Sequence, residues 1–193
     1  MVKLTGYKKV KAAVFISGTG SNLKSLIKFS KTKKSPISIN LIISNNPHAK
    51  GLKLGKTNMI KKRVFNFQKK YKVENQILSI LENHKISMIC LAGFMKILSK
   101  KFISKFRGKI LNIHPSLLPK YKGLNTYERA LNNKEKYSGC TVHFVDSKLD
   151  SGKIILQKKV KISKNETKDS LAKKILIQEH KLYPKAILKT FNL

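Results

Sequence analysis

Short apolar runs, each closed by a glycine, proline or asparagine turn, alternate along this chain with stretches whose apolar residues recur every three or four positions. That alternation of period two with period 3.6 is what most limits the fold, because it reads as strand, helix, strand, helix. "VKAAVFIS" (Val10–Ser17) is a buried-strand pattern, followed by the turn "GTGSN" and a helical stripe of Leu23, Leu26, Ile27 and Phe29. "PISINLIIS" (Pro36–Ser44) is a second strand, Gly51–Thr57 a short helix, and Lys62–Phe67 a short strand. Tyr71–His84 carries Val73, Ile77, Ile80 and Leu81 on one helical face. Strand Ile86–Phe94, helix Ser99–Phe106 and strand "KILNI" (Lys109–Ile113) follow, then a proline-rich segment and helix Thr126–Asn132. "CTVHFV" and "KIILQKKVKI" are strands joined by the short "DSKLDSG", so that pair must run antiparallel. A final helix spans about Thr167 to Phe191, where Pro184 predicts a kink or break.

The expected architecture is therefore α/β: one domain over 1–193, a mostly parallel twisted sheet flanked by helices, and an antiparallel C-terminal strand pair. Residues 1–9 read as a polar, lysine-rich lead-in. No apolar run reaches the ~18 residues that a membrane helix needs, and "AAVFIS" is too short for a signal segment, so a cytoplasmic chain is expected. Cys90 and Cys140 sit inside strand-like runs without metal spacing and read as buried thiols.

The net charge of +33 on 193 residues raises the question of nucleic acid. The arginines are only Arg63, Arg107 and Arg129; nearly all the positive charge is lysine, spread over the whole chain. Arginine is the usual residue for bidentate phosphate and base contacts, and the chain also lacks tryptophan. The charge thus reads as drift across exposed positions, with no specific nucleic-acid or membrane partner expected.

Ligands of parallel sheets bind beyond the carboxyl ends of the strands. That rule singles out "SGTGSN", "AGFMKIL", "NIHPS" and "DSKLDSG". In the first, Gly18 and Gly20 permit a tight turn, and Ser21 and Asn22 can cap the helix and offer N–H groups to an anion. A plain strand–helix turn explains the same residues, since a full dinucleotide fingerprint is absent. In "NIHPS", period two puts Asn112 and His114 on one face and Ile113 on the other, aiming an amide and a titratable imidazole together from a strand end. Pro115 and Pro119 then bar helix and fix the chain's exit. Asp150, in "KLDSG", is one of nine acids and lies between two strands; turn chemistry accounts for it equally well. His48, His84, His143 and His180 read as ordinary hydrogen-bonding residues. No HxxxH, CxxC or carboxylate pair offers a metal site, and no GxSxG elbow supports a serine hydrolase.

Taken in order, "ISGTGSNL", "LAGFMKILS", "LNIHPSLLPKYKGLNTYERAL", "TVHFVDSKLDSGKIILQKKV" and "QEHKLYP" resemble the phosphoribosylglycinamide formyltransferase family over nearly the whole chain. The resemblance implies a Rossmann-like formyltransferase fold. It implies transfer of a formyl group from 10-formyltetrahydrofolate, as co-substrate and without a metal, to the amine of glycinamide ribonucleotide, by direct attack through a tetrahedral intermediate in purine biosynthesis. It assigns catalysis to Asn112, His114 and Asp150. It assigns the substrate phosphate to Gly20, Ser21 and Asn22, with Glu179 near the glycinamide amine. Folate is assigned to Lys70, to Met95, Lys96, Ile97 and Leu98, to Val145, Asp146, Ser147, Lys148 and Leu149, and to Asn112 and Asp150. Leu118–Pro119 matches a cis bond, and a monomer or weak homodimer is implied. The chain departs from the family pattern at Lys122, Asn125 and Tyr127, where a proline and two histidines are usual, and at Lys69 or Lys70, where an arginine is usual. Methionyl-tRNA formyltransferase and formyltetrahydrofolate hydrolase resemble the catalytic strand but carry an extra domain for which the chain has no room. A non-catalytic basic nucleic-acid module is the remaining alternative.

Overall fold

The structure, a computed structural model, describes residues 9–193. The polar lead-in therefore lies almost entirely outside the described residues. The chain divides into two compact units, one ending at Leu111 and one beginning at Asn112, so the boundary falls inside a strand.

The first unit contains β1 (Val10–Ile16), α1 (Ser21–Ser30), β2 (Ile37–Ser44), α2 (Lys53–Thr57), β3 (Lys61–Val64), α3 (Lys70–Asn83), β4 (Met88–Leu91), α4 (Lys100–Lys105) and the start of β5 (Lys109–His114). Its strands lie in the order β3-β2-β1-β4-β5. β1 is parallel to β2, from Val10↔Ile37 to Ile16↔Ser44, and parallel to β4, from Ala12↔Met88 to Phe15↔Leu91. β2 is parallel to β3. Ala12 to Ile16 are completely buried, which explains why β1 shows no polar alternation: strands covered on both faces read as continuous apolar runs. β3 is an edge strand exposed along its length, and its Lys61, Lys62 and Arg63 suit an edge that must not pair with another chain.

The second unit holds the end of β5, α5 (Thr126–Asn132), β6 (Tyr137–Phe144), β7 (Ile154–Lys161) and α6 (Lys168–Thr190). β6 and β7 are antiparallel, from Tyr137↔Lys161 to His143↔Ile154, as their short connection requires. Leu171, Ile175, Tyr183, Ala186 and Ile187 bury one side of α6 completely. Thr167 and Ser170 form a reciprocal capping box at its start.

Two expectations need correction. The run Ile86–Phe94 is a strand only over Met88–Leu91, because Gly93 turns at φ 74° and its carbonyl accepts the Ser17 N–H. Pro184 does not break α6, which is continuous to Thr190. A proline inside a helix costs about 3 kcal/mol, but full burial of Tyr183, Ala186 and Ile187 beside it offsets that cost.

Candidate active site

In the first unit, β1 delivers the chain into Ser17–Gly20. Gly20 is itself the N-cap of α1, left-handed at φ 77°, and no side chain caps the helix. This corrects the expectation that Ser21 and Asn22 cap it; both lie within the first turn. The first-turn N–H groups have no carbonyl partner within their own helix. A Cβ on Gly20 would stand 2.6 Å from Gly51 Cα, and one on Gly51 would stand 2.7 Å from Ile16 Cδ1. Gly51 N–H also donates to Gly18 O at 3.0 Å. Two glycines 31 positions apart thus set the shape of this turn. Ser17 braces it from the other side. Its hydroxyl donates to Asn45 Oδ1 and accepts the Met95 N–H at 2.7 Å, while Asn46 Nδ2 donates to Ser17 O at 3.1 Å.

Met95, Lys96 and Ile97 are exposed, Met95 and Ile97 by about 60% each, whereas Leu98 is buried and offers a ligand only its main chain. The end of this segment is anchored by Glu74, a buried carboxylate on α3 that accepts both the Ser99 N–H (2.8 Å) and the Ser99 hydroxyl. Lys70 is the first residue of α3 and half-buried.

In the second unit, the alternation of β5 is as expected: Ile113 is buried, and Asn112 and His114 share a face. Asp150 joins them. Its Oδ2 lies 3.4 Å from His114 Nδ1 and accepts the Gly123 N–H at 2.9 Å, and its Oδ1 accepts from Asn112 Nδ2 at 3.4 Å. Asp150 sits at φ 46°, in the left-handed region that aspartate tolerates better than most non-glycine residues. His114 Nε2 donates to the Tyr121 carbonyl at 2.8 Å. In the neutral ring that bond places the proton on Nε2 and leaves Nδ1, the nitrogen facing Asp150, as the one that titrates.

A fourth residue belongs to this group and was not anticipated. His143 is 2% exposed; its Nδ1 donates to Phe144 O at 2.8 Å, so in the neutral ring Nε2 is an acceptor and takes an N–H from Asn112 Nδ2 at 3.2 Å. A charged ring would instead direct Nε2–H toward Asp150 Oδ1, 3.6 Å away. The sequence held one signal for it: Thr141 and His143 are polar residues at period two within an apolar strand, and both are buried.

The turn between β5 and α5 is fastened to the final strand pair. Leu118–Pro119 is cis. Thr141 Oγ1 donates to Ser116 O at 2.6 Å and accepts the Leu118 N–H, and Gln157 Nε2 donates to Leu118 O at 2.8 Å. Val145 is half-buried and Asp146–Leu149 are exposed; Lys148 N–H donates to Asp146 Oδ1.

Burial lowers the His114 imidazole below its ordinary value, and the Tyr121 carbonyl and the Asp150 charge only partly oppose this. The Asp150 charge favours the imidazolium, but desolvation outweighs it, so the resting ring is neutral near pH 7. Burial pushes the Asp150 carboxyl up, but contact with His143, the Gly123 N–H and the nearby His114 more than offset it, and the net shift is downward. Glu179 is buried on α6. Burial, with the Glu179 charge adding, raises the Tyr127 phenol and pushes the Cys140 thiol up to about 12, so both stay protonated. Among the described residues no group of three His, Cys, Asp or Glu side chains could hold a metal ion, and no helix is long and apolar enough to cross a membrane.

The sequence model of the formyl transferase family matches residues 10–187. Phosphoribosylglycinamide formyltransferase of Haemophilus influenzae is 43% identical, over 94% of this chain and 87% of its own. The human trifunctional purine biosynthetic protein adenosine-3 is also 43% identical, over 93% of this chain; the chain spans 18% of that relative's length. Among solved structures, phosphoribosylglycinamide formyltransferase from Brucella melitensis superposes with a TM-score of 0.89 at 41% identity, covering 95% of this chain and 96% of that one. With a fold of parallel strands ending in an antiparallel pair, and with Asn112, His114 and Asp150 gathered at one strand end, the chain belongs to the formyl transferase family, among its phosphoribosylglycinamide formyltransferases.

Proposed function

We propose that the protein transfers the formyl group of 10-formyltetrahydrofolate to the amine of N1-(5-phospho-D-ribosyl)glycinamide. The observation that carries this reading is the convergence of Asn112 and His114 on Asp150, each 3.4 Å from one of its carboxylate oxygens, in a chain with these relatives. The amine attacks the formyl carbon, a C–N bond forms, and negative charge develops on the formyl oxygen. The N–H groups of Asn112 Nδ2 rest on His143 and Asp150 through long contacts of 3.2 and 3.4 Å, so one can turn to the oxyanion as its charge grows. A preorganised donor of this kind is typically worth about 3–4 kcal/mol.

The attacking nitrogen must lose a proton and the folate N10 must gain one as its bond to the formyl carbon breaks. His114 Nδ1 is suited to carry it, since the neutral ring has its lone pair there and Nε2 is held by the Tyr121 carbonyl. Asp150 stabilises the imidazolium that forms in passing. The Gly20–Asn22 turn offers α1 first-turn N–H groups to the substrate phosphate. Of the residues assigned to folate, Met95 and Ile97 in the first unit and Leu149 in the second are exposed apolar side chains, and Lys70 is the one assigned to its acidic tail. Glu179 is the carboxylate assigned to the glycinamide amine. We read the dispersed lysines as solvated surface and not as a nucleic-acid site.

The test is an assay with glycinamide ribonucleotide and 10-formyltetrahydrofolate that follows the absorbance of the folate product. Water and methionyl-tRNA serve as alternative acceptors. Turnover only with the ribonucleotide supports the reading; turnover with either of the others at a similar rate would replace it.

A further inference from the structure

Arg129 is an exposed residue on α5, one of only three arginines in a chain that elsewhere uses lysine. Its Nη1 donates to two carbonyls, Lys122 O at 2.7 Å and Leu124 O at 3.4 Å, and its guanidinium carbon lies 5.1 Å from the centre of the Tyr121 ring. Meeting carbonyls and a ring face together suits a planar guanidinium and not the point charge of an ammonium group. The segment so gripped carries both main-chain groups that hold the reacting pair: the Tyr121 carbonyl on His114 Nε2, and the Gly123 N–H on Asp150 Oδ2. That segment is also the most contorted in the second unit. Tyr121 (φ 56°), Gly123 (φ 78°) and Asn125 (φ 57°) are all left-handed; glycine and asparagine adopt that region readily, but the bulky Tyr121 requires outside restraint to stay there.

We propose that Arg129 is a positioning residue, clamping the Tyr121–Leu124 loop so that its main chain fixes the tautomer and orientation of His114 and the seat of Asp150. A second tether acts on the same loop: the Tyr121 hydroxyl donates to Glu135 Oε1 at 2.8 Å and accepts from Asn133 Nδ2 at 3.0 Å. The groups facing His114 are then the Tyr121 carbonyl, Asp150, His143 and the more distant Arg129 charge, which disfavours the imidazolium. The clamp thus acts by geometry, while its charge works mildly the other way and is screened at an exposed site.

The kinetic part of the test rests on the formyl-transfer reading; the spectroscopic part does not. Arg129→Lys keeps the charge and loses the fork, and Arg129→Met loses both. Both should lower kcat by roughly 10-fold or more, the scale of a reacting group displaced by a fraction of an ångström, with KM for either substrate within about threefold. Nitrogen-15 NMR of the folded protein, with His114 assigned through His114→Gln, should show a protected Nε2–H in the wild type that becomes exchange-broadened in both variants. Loss of that protection in a protein without formyl-transfer activity would leave the clamp standing and sink only the reading of the reaction. An unchanged Nε2–H and kcat in Arg129→Met would overturn the proposal. So would a change confined to a lower unfolding temperature.

Discussion

Replacing Asp150 by Asn removes one charge while keeping the side chain's shape, and its consequences follow from the three contacts of the carboxylate. At 3.4 Å from His114 Nδ1, and with an effective dielectric constant of about 20, a full charge pair interacts by about 5 kcal/mol. Only the fraction of imidazolium character present in the transition state is affected, so a loss of about 3–5 kcal/mol bounds the effect, or roughly 10²–10⁴ in kcat. Geometry adds to it. The Gly123 N–H still requires an acceptor at the δ2 position, which turns the new amide nitrogen toward Asn112 Nδ2, donor against donor. The sign of the pH effect is also fixed. His114 must be neutral to accept a proton, and its value already lies below 6.5. Removing the Asp150 charge removes one of the influences that raise it, so the acid limb of kcat/KM moves to still lower pH. KM for either substrate should change little, because the carboxylate is assigned to the transition state. Steady-state kinetics from pH 4.5 to 9, beside thermal unfolding to verify the fold, measure all of this. A kcat within threefold of wild type, or an acid limb that moves upward, would refute the reasoning.

Three further outcomes are expected. Gly51→Ala pushes a methyl group against Ile16 and Gly20, so KM for the phosphorylated substrate should rise while that for folate holds, with about 1–3 kcal/mol of stability lost to overpacking; equal changes in both KM values would show that the turn serves only the fold. His143→Phe removes the acceptor that holds Asn112 Nδ2 and should lower kcat by about 1–3 kcal/mol of barrier, whereas His143→Gln should recover part of it; identical rates for the two variants would count against this role. Lys174 and Ser170 hold the Glu166 carboxyl at about 2 against an ordinary 4.5. Because the folded value is depressed, its contribution is complete above 4.5 and lost as pH falls toward 2. Glu166→Gln should therefore lower the unfolding temperature at pH 7 and leave it unchanged at pH 2.

The fold was largely readable because the central strands β1, β2 and β4 are apolar runs bounded by turns, and the catalytic strand announced itself through Asn112 and His114 at period two. What could not be read depended on contacts distant in sequence. Gly51 looks like an ordinary helix-start glycine until Gly20 is seen against it. Glu74 sits on an amphipathic helix, where a carboxylate is expected to be solvated, yet it is buried and anchors Ser99. Pro184 obeys a local rule that full burial of its neighbours overrides. The neutral resting state of His114 is a balance of burial against charge, and burial has no local sequence signature.

The lysine-rich border strands bear on how the molecule behaves in a crowd of its own kind. β3 presents Lys61, Lys62 and Arg63, and β7 presents Lys158, Lys159 and Lys161, at the open borders of their units. Two copies meeting border to border would bring these rows to the strand spacing of ~4.8 Å, well inside the Debye length of about 8 Å at physiological ionic strength. With nine acids in the whole chain, few anions are at hand to bridge them. Mutual repulsion of like charge then keeps the copies apart and supports colloidal stability. It also makes that stability conditional: molar salt or a polyanion would switch the repulsion off, and bare strand edges would then meet with nothing to keep them apart.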